Sequence, residues 1–289
     1  MKYLQDISYT DIDKGIEYLN KNKLNYYLDD EEITIFHVYW YGNITRKQLL
    51  CINSYLATQD LSCTKLWVWL DHNTFTEKNQ NLIPKHDNIV IKKYVPKHEA
   101  METLFENNKW INKTNKLKFR SDLARVIFLY KYGGLYFDLD MVLLKDMKPL
   151  LGVEFCYTWA NLKHGNNGIL RYFKGSANLL KLMQKYNSVL KKQNFYINFN
   201  SLIFTDELDI YCFPSVMFDP VWILFDNKLQ SKYSKLNNFD DFFKTTDEDI
   251  SKFFNNNIFA YHWHSRNNYK IEKGSYFEKL ENLFISLNI

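Results

Sequence analysis

KFRSDLARVIFLYKYGGLYFDLDMVLLKD, residues 118–146, combines a helical pattern, a pair of glycines and a strand pattern with two acids. Its first half has apolar residues at positions i, i+3, i+4 and i+7, which are Leu123, Val126, Ile127 and Tyr130. This spacing predicts an amphipathic helix over residues 121–132, with Ser121 as its N-cap. Gly133 and Gly134 are expected to end the helix, because a glycine takes the left-handed conformation without strain. A strand is predicted to follow at once.

The second half contains LYFDLD, residues 135–140, which predicts a strand with two carboxylates. Because side chains alternate across a strand, Asp138 and Asp140 are expected to face the same side as Tyr136. Two carboxylates about 7 Å apart along a strand repel each other unless a cation lies nearby. Mg²⁺ and Mn²⁺ prefer such oxygen ligands and bring bound phosphates with them. The alternative is a strand end that frays into solvent with two exposed acids.

The segments before this stretch alternate between strand and helix patterns. Three runs rich in β-branched and aromatic residues predict strands, at 33–42, 64–73 and 88–96. RKQLLCINSYLATQ, residues 46–59, predicts a helix between the first two. This order is typical of an α/β fold, and we expect a Rossmann-like, mixed but mostly parallel sheet flanked by helices.

The later part of the chain continues the same pattern. Its predicted elements are a strand, a helix and a strand, at 153–160, 176–192 and 258–265. No repeat and no convincing linker interrupts the sequence, so a single domain over residues 1–289 is predicted. Its ends are expected to be a helical N-terminal extension, residues 1–31, and a C-terminal helix, residues 272–289.

The composition narrows the classes of function. The 289 residues carry a net charge of +4, from 37 basic and 33 acidic residues, without a dense basic stripe. We therefore expect no nucleic-acid partner, whereas a small anionic substrate suits the mild positive excess. The N-terminus has no apolar signal-peptide region, no apolar run is long enough to span a membrane, and the cysteines are scattered. These features predict a cytoplasmic protein without a signal peptide or transmembrane segment, for which peripheral membrane contact stays open.

RSDLARVIFLYKYGGLYFDLD, residues 120–140, resembles the sugar-binding region, with its D-x-D motif, of glycosyltransferase family 32. The matching positions are Arg120, Asp122, Arg125, Gly133, Gly134, Tyr136, Asp138 and Asp140. Members of that family include outer-chain mannosyltransferases and transferases of capsule and lipopolysaccharide biosynthesis. Thinner matches occur at His37, Trp40 and Gly42 in IFHVYWYG, at Asn167 in GNNGI and at His262 in FAYHWHS.

The resemblance implies a GT-A fold, in which the D-x-D motif ends a strand beside the nucleotide-sugar pocket. Asp140 would then ligate a metal ion, Mn²⁺ or Mg²⁺, while Asp138 would contact the donor and reach the metal. His262 would complete the metal site as a neutral imidazole. Because Trp263 and His264 depart from the family's usual order, His264 is the alternative ligand. The donor is expected to be a nucleotide sugar, UDP-linked rather than GDP-linked.

Further residues are implied to bind the donor. Asp122 and Arg125 would hold hydroxyls of the donor sugar, the alternative being a plain salt bridge between them across one helical turn. Trp40 would stack on the nucleotide base, or belong to the core. Asn167 would touch the sugar or the acceptor, or occupy a turn. Tyr136 is placed with the residues that bind the nucleotide sugar.

The predicted function is therefore that of a metal-dependent, retaining hexosyltransferase. It would move a sugar from the nucleotide to an acceptor hydroxyl of a glycan, a lipid-linked sugar or a protein. Its catalytic residues are expected to be Asp122, Arg125, Asp138 and Asp140, with acceptor contacts in the aromatic region 195–230.

Two alternatives remain at this point. FDLDMVL, residues 137–143, also fits the D-x-D-x-[TV]-[LV] opening of haloacid-dehalogenase-like phosphatases, with Asp138 and Asp140 at the reacting centre. That motif normally lies on the first strand of its domain, whereas several predicted strands precede it here. The other alternative is a non-catalytic relative that binds a nucleotide sugar without turnover.

Overall fold

The computed structural model describes residues 2–3, 33–108, 111, 117–159, 164–192, 199–203, 208–221, 238–251 and 258–287. The helices predicted within residues 1–31 lie outside the described residues, apart from Lys2–Tyr3, which form a short strand. In the described part of the chain, no helix is both long enough and apolar enough to cross a membrane.

The described part of the chain alternates between strands and helices, and it contains four strands, at residues 2–3, 141–143, 165–172 and 211–213, that were not predicted. The strands are β1 (Lys2–Tyr3), β2 (Thr34–Trp40), β3 (Thr64–Asp71), β4 (Ile89–Tyr94), β5 (Gly134–Phe137), β6 (Met141–Leu143), β7 (Phe155–Thr158), β8 (Gly165–Tyr172), β9 (Tyr211–Phe213) and β10 (Ala260–His262). The helices are α1 (Arg46–Thr58), α2 (Glu77–Leu82), α3 (Pro96–Glu99), α4 (Leu117–Tyr132), α5 (Ala177–Lys191), α6 (Asn200–Ile203) and α7 (Tyr276–Ser286).

Eight strands form one sheet in the order β1-β9-β7-β8-β5-β2-β3-β4. Its neighbouring strands are parallel, except that β8 runs antiparallel to both β7 and β5. The mixed, mostly parallel sheet flanked by helices is thus confirmed. Because the parallel strands β2, β3 and β5 end at the same edge of the sheet, the residues that follow them meet there.

Side chains alternate along β2 and supply a hydrophobic core on each face of the sheet. Phe36 and Val38 are buried on the face covered by α1. On the other face the ring of His37 stacks on Phe128 of α4, with ring centroids 5.8 Å apart. Burial lowers the pKa of His37 to about 3, so its ring is neutral, and Nε2–H donates to the carbonyl of Gly133 at 2.9 Å. His37 therefore ties β2 to the end of α4.

Helix α4 begins earlier than predicted and ends where predicted. Its first residue is Leu117, so Ser121 lies inside the helix and the predicted N-cap is wrong. The Ser121 hydroxyl instead accepts a hydrogen bond from Nη2 of Arg125 at 2.7 Å. After the helix, Gly133 and Gly134 have φ angles of +67° and +103°, which confirms that this break needs glycine.

The strand predicted over residues 135–140 is shorter than its pattern suggests. β5 ends at Phe137, and Asp138–Asp140 form a turn in which the N–H of Met141 donates to the carbonyl of Asp138 at 3.0 Å. Side-chain alternation therefore does not explain why the two carboxylates share a side. A turn brings them together, because a strand would keep them about 7 Å apart.

A second, two-stranded sheet brings a late segment of the chain to this turn. β10 pairs antiparallel with β6, with His262 opposite Met141, and the N–H of Trp263 donates to the carbonyl of Asp140 at 3.1 Å. The late strand was predicted to run to residue 265 but ends at His262. His264 follows with a φ angle of +51°, outside any strand.

Candidate active site

A pocket of about 550 Å³ opens at the edge of the sheet where β2 and β5 end. Predicted site residues that line it are Trp40, Asp122, Arg125, Asp138, Asp140, Asn167, His262 and His264. Tyr136 is fully buried beneath the pocket, and its hydroxyl donates to Oδ1 of Asp138 at 2.8 Å. The fold therefore gathers residues that lie far apart in sequence around the acidic turn.

Arg125 links Asp122 of helix α4 to Asp138 of the acidic turn. Its Nη2 lies 3.4 Å from Oδ1 of Asp122 and 3.2 Å from Oδ1 of Asp138. Burial works against its charge, yet Asp138 holds the pKa of Arg125 above its usual range. Burial raises the pKa of both Asp122 and Asp138, and Arg125 opposes that shift. The salt bridge considered for Arg125 and Asp122 is present, and it extends to Asp138.

Asp140 faces the late segment of the chain. Its Oδ1 lies 3.1 Å from Nε2 of His262, and its Oδ2 accepts the N–H of Ser265 at 2.6 Å. Burial acts to raise the pKa of Asp140, but the positive charge of His262 holds it below its usual range. Among the described residues, the buried Oδ1 accepts no aligned hydrogen bond. Nε2 of His262 lies beside this oxygen without an aligned hydrogen bond.

These side chains fit a divalent cation. One ligand atom each from Asp138, Asp140 and His262 lies within 4.8 Å of the others. Two carboxylate oxygens and one imidazole nitrogen suit Mn²⁺ and Mg²⁺, with room for phosphate oxygens on the pocket side. The incompletely bonded Oδ1 of Asp140 is the kind of buried acceptor that a metal ion satisfies.

The two histidines of the late segment differ in how they contact the carboxylates around them. His262 lies beside the acidic turn, whereas Nε2 of His264 lies 2.6 Å from Oδ2 of Asp219. Their rings stack with centroids 3.8 Å apart. His262 is therefore the histidine of the Asp138–Asp140 group. Asp219 is fully buried and was missed by sequence reasoning, because a lone Asp in an aromatic segment carries no motif.

The other end of the pocket is lined by residues at the end of β2 and directly after it. Trp40 is half-buried there, and its indole N–H donates to the carbonyl of Asn43 at 3.0 Å. Next to it, the hydroxyl of Tyr39 donates to the buried Asp71 at 2.7 Å, and Nη1 of Arg120 lies 3.1 Å from the same carboxylate. Arg120, a match to the family motif, thus anchors α4 to the end of β3. Asp71 was not among the predicted site residues.

Asn167 occupies a strand position in β8, so the alternative of a turn residue is wrong. Its side-chain N–H donates to Oδ1 of Asp122 at 2.8 Å, and its backbone N–H donates to Oδ1 of Asn200 at 2.8 Å. Arg125 donates to its carbonyl. Asn167 therefore positions the Asp122–Arg125 pair, and Asn200, within the hard-to-assign region 195–230, supports it from behind.

We expect Arg125→Met to lower the free energy of unfolding by about 3 kcal/mol, because the buried Asp122 and the partly buried Asp138 lose their shared cation. Arg46→Met is the matched control, since the Arg46–Glu281 pair is exposed on the arginine side and its loss costs less than about 1 kcal/mol. Urea unfolding followed by tryptophan fluorescence measures both values. Equal losses in the two variants would contradict the buried role of Arg125.

Residues 70–156 match the family model described as the glycosyltransferase sugar-binding region containing the DXD motif. The match spans the Asp122–Arg125 pair and the acidic turn, while Trp40 and His262 lie outside it. No curated protein matches the chain. This part of the chain is thus similar to the DXD-containing sugar-binding region of glycosyltransferases.

Solved glycosyltransferase structures are similar to this chain over most of its length. GlyE of Streptococcus pneumoniae TIGR4 is 12% identical, with a TM-score of 0.51 over 89% of this chain and 64% of its own. PaToxG glycosyltransferase is 17% identical, with a TM-score of 0.46 over 76% of this chain and 82% of its own. The galactosyltransferase LgtC, in complex with donor and acceptor sugar analogs, is 14% identical, with a TM-score of 0.46 over 86% and 95%. The likeness to GlyE identifies the fold as GT-A.

Proposed function

We propose that the protein is a metal-dependent, retaining glycosyltransferase of the family 32 type, which uses a nucleotide sugar, UDP-linked, as its donor. One observation carries the proposal. The cation-binding group Asp138–Asp140–His262 shares a single pocket with the buried Asp122–Arg125 pair, within a GT-A fold. The DXD-type sugar-binding region and the fold support glycosyl transfer as the class of reaction.

The acidic turn and His262 would hold Mn²⁺ or Mg²⁺ against the donor diphosphate. When bound, the ion supplies the positive charge that stabilises the departing nucleotide diphosphate. Asp140 is suited to bind the metal ion directly. The N–H of Ser265 orients its Oδ2, while its Oδ1 lies on the side of His262. Asp138 is held by Tyr136 and Arg125, so its carboxylate is preorganised at little entropic cost on binding.

The donor sugar would lie beside Asp122 and Arg125. Both side chains are almost fully buried and are fixed by Asn167 and Ser121, so they present polar atoms to the pocket in one geometry. Such a rigid carboxylate–guanidinium pair can distinguish sugar hydroxyls by hydrogen bonding.

We propose that the anomeric configuration is retained, as the resemblance to family 32 implies, and the acids that the pocket offers are compatible with this. Among the described residues that line it, the carboxylates are Asp122, Asp138 and Asp140. Each is engaged by Arg125, His262 or a backbone N–H, so none stands ready as a nucleophile for a double displacement. The step that this implies is front-face attack of the acceptor hydroxyl on the anomeric carbon, in which the bond to the leaving diphosphate breaks and that diphosphate accepts the hydroxyl proton.

The phosphatase alternative requires Asp138 as a nucleophile. Its Oδ1 receives the hydroxyl of Tyr136 and lies 3.2 Å from Arg125, and its Oδ2 lies 3.4 Å from the same guanidinium. These contacts lower the nucleophilicity of the carboxylate and disfavour this alternative.

The test is donor hydrolysis across a panel of UDP- and GDP-sugars, with Mn²⁺ or with EDTA. We expect slow release of UDP from one donor, abolished by EDTA. Release of phosphate from simple phosphomonoesters would instead support the phosphatase. If UDP with Mn²⁺ raises the melting temperature but no donor is hydrolysed and no acceptor glycosylated, the non-catalytic alternative is favoured.

We expect Trp40→Ala to weaken UDP binding about 10-fold, because stacking of a base on an aromatic ring is worth about 1–3 kcal/mol. Trp40→Phe keeps an aromatic face and serves as the control, with a smaller loss. Calorimetric titration with UDP in the presence of Mn²⁺ measures both. Unchanged affinity in Trp40→Ala would assign this side chain to the pocket wall only.

A further inference from the structure

We propose that Asp219 is a positioning residue that fixes the orientation of the His262 ring, so that Nε2 faces the acidic turn. The inference rests on the proposed function, because it concerns the cation site of Asp138, Asp140 and His262. It adds a carboxylate that lies behind the histidine and outside the residues matched by the family model.

The two nitrogens of His262 face two different carboxylates. On the pocket side, Nε2 lies 3.1 Å from Oδ1 of Asp140. On the opposite side, Nδ1 lies 3.6 Å from Oδ2 of Asp219 and 3.3 Å from the hydroxyl of Tyr157. Asp219 also binds Nε2 of His264, whose ring stacks on His262 at an interplanar angle of 22°. A buried carboxylate thus hydrogen-bonds one ring of the stack and lies behind Nδ1 of the other.

Asp219 is itself held by a rigid segment. It follows the short 3₁₀ turn Ser215–Met217, and its N–H donates to the carbonyl of Ser215 at 2.7 Å. The N–H of Phe259, just before β10, donates to the carbonyl of Met217 at 2.6 Å. These bonds fix the segment that carries the carboxylate to the segment that carries the histidines.

The chemical consequence is a choice of tautomer. A carboxylate behind Nδ1 favours the proton on Nδ1, which leaves the lone pair of Nε2 for a cation. Without it, the ring can rotate or carry its proton on Nε2, and the ligand is lost. Removal of such a carboxylate behind a metal-binding histidine lowers metal affinity about 10- to 100-fold.

A direct cation site made of Asp219, His262 and His264 is the competing interpretation, because their ligand atoms also lie within 4.8 Å of one another. The 2.6 Å contact between Asp219 and His264 argues against it, since the two side chains are already hydrogen-bonded to each other. Metal stoichiometry separates the two interpretations.

The experiment is a Mn²⁺ titration of the full chain, followed by electron paramagnetic resonance, for wild type, Asp219→Asn and Tyr157→Phe. We expect one Mn²⁺ in wild type, with hyperfine coupling to an imidazole nitrogen. Asp219→Asn has nearly the same shape, so it should fold, bind Mn²⁺ about 10- to 100-fold more weakly and lose most of the nitrogen coupling. Asp219→Glu should recover part of both, and Tyr157→Phe should show a clearly smaller loss.

A second measurement does not depend on any variant. In histidine-¹⁵N-labelled wild type with Mg²⁺, long-range ¹H–¹⁵N spectra report which nitrogen of His262 carries the proton. The proposal expects Nδ1–H, and Nε2–H would overturn it.

The outcomes are distinguishable. Equal affinity and equal nitrogen coupling in wild type and a folded Asp219→Asn would overturn the positioning role and leave the proposed function intact. Two bound Mn²⁺ ions, one of them lost in Asp219→Asn, would overturn it in favour of a direct ligand. A wild type that binds no Mn²⁺ would overturn the proposed function as well.

Discussion

Asp140→Ala is expected to lower Mn²⁺-dependent UDP release from the preferred donor by at least about 1000-fold, or about 4 kcal/mol of transition-state stabilisation. Asp140 is the carboxylate whose buried Oδ1 faces His262 and whose Oδ2 is oriented by the N–H of Ser265. Its removal takes away one of the two carboxylates at the cation site. The remaining ligands, Asp138 and His262, would hold the ion more weakly and would no longer fix its position against the donor diphosphate.

The measurement is initial-rate UDP release at saturating Mn²⁺, with melting temperatures for each variant. Asp60→Ala is the matched control, because Asp60 is a surface carboxylate paired with Lys148 outside the pocket. Asp140→Asn separates charge from shape and should lose nearly as much activity as the alanine variant. More than a tenth of wild-type activity in a folded Asp140→Ala would show that this carboxylate is not a metal ligand.

Gly134→Ala is expected to cost at least about 4 kcal/mol of the free energy of unfolding, which exceeds the effect of most single substitutions. Gly134 has a φ angle of +103°, and a Cβ placed there would lie 1.9 Å from the carbonyl oxygen of Ile35. Ile35 belongs to β2, which pairs with β5 in the middle of the sheet. The two strands would have to separate, and the acidic turn would move with β5.

Gly175→Ala is the control for this effect. Gly175 also has a positive φ angle, of +69°, but a Cβ there would meet no atom within 4 Å. Its substitution should therefore cost only the backbone strain, about 1–2 kcal/mol. Urea unfolding midpoints of both variants measure the difference. Equal losses would show that the close approach of β2 to Gly134 does not limit stability.

Local pattern was sufficient to predict most of the sheet. β2, β3 and β4 begin and end within two residues of the predicted boundaries, because buried parallel strands need nearly continuous β-branched and aromatic residues. The helix that precedes the acidic motif was predicted from its apolar spacing, and its end from two glycines. Its start was predicted four residues too late, because the N-cap preference of Ser121 was weighed above the longer helix.

The residues of the candidate site likewise fall into two groups, those that a local motif predicted and those that it did not. The acidic pair and the Asp122–Arg125 pair are local in sequence, so their motif alone pointed to them. Asp71, Asn200 and Asp219 have no local signal, because each acts through a partner that lies 30 or more residues away. Contacts of that kind depend on how strands are ordered in the sheet, and sequence periodicity does not report that order.

Local sequence pattern was enough to predict the class of fold, the acidic motif and the residue types that the proposed cation and sugar sites would require. Spacing and side-chain chemistry express these locally, through hydrophobic burial and backbone conformation. The position of Asp138 and Asp140 in a turn, and not in a strand, is visible only in the tertiary structure. The same holds for the pairing of β10 with β6, which places His262 beside them. The physical reason is that a binding site depends on the distances between side chains in space. The folding of the chain sets these distances, and the local sequence does not.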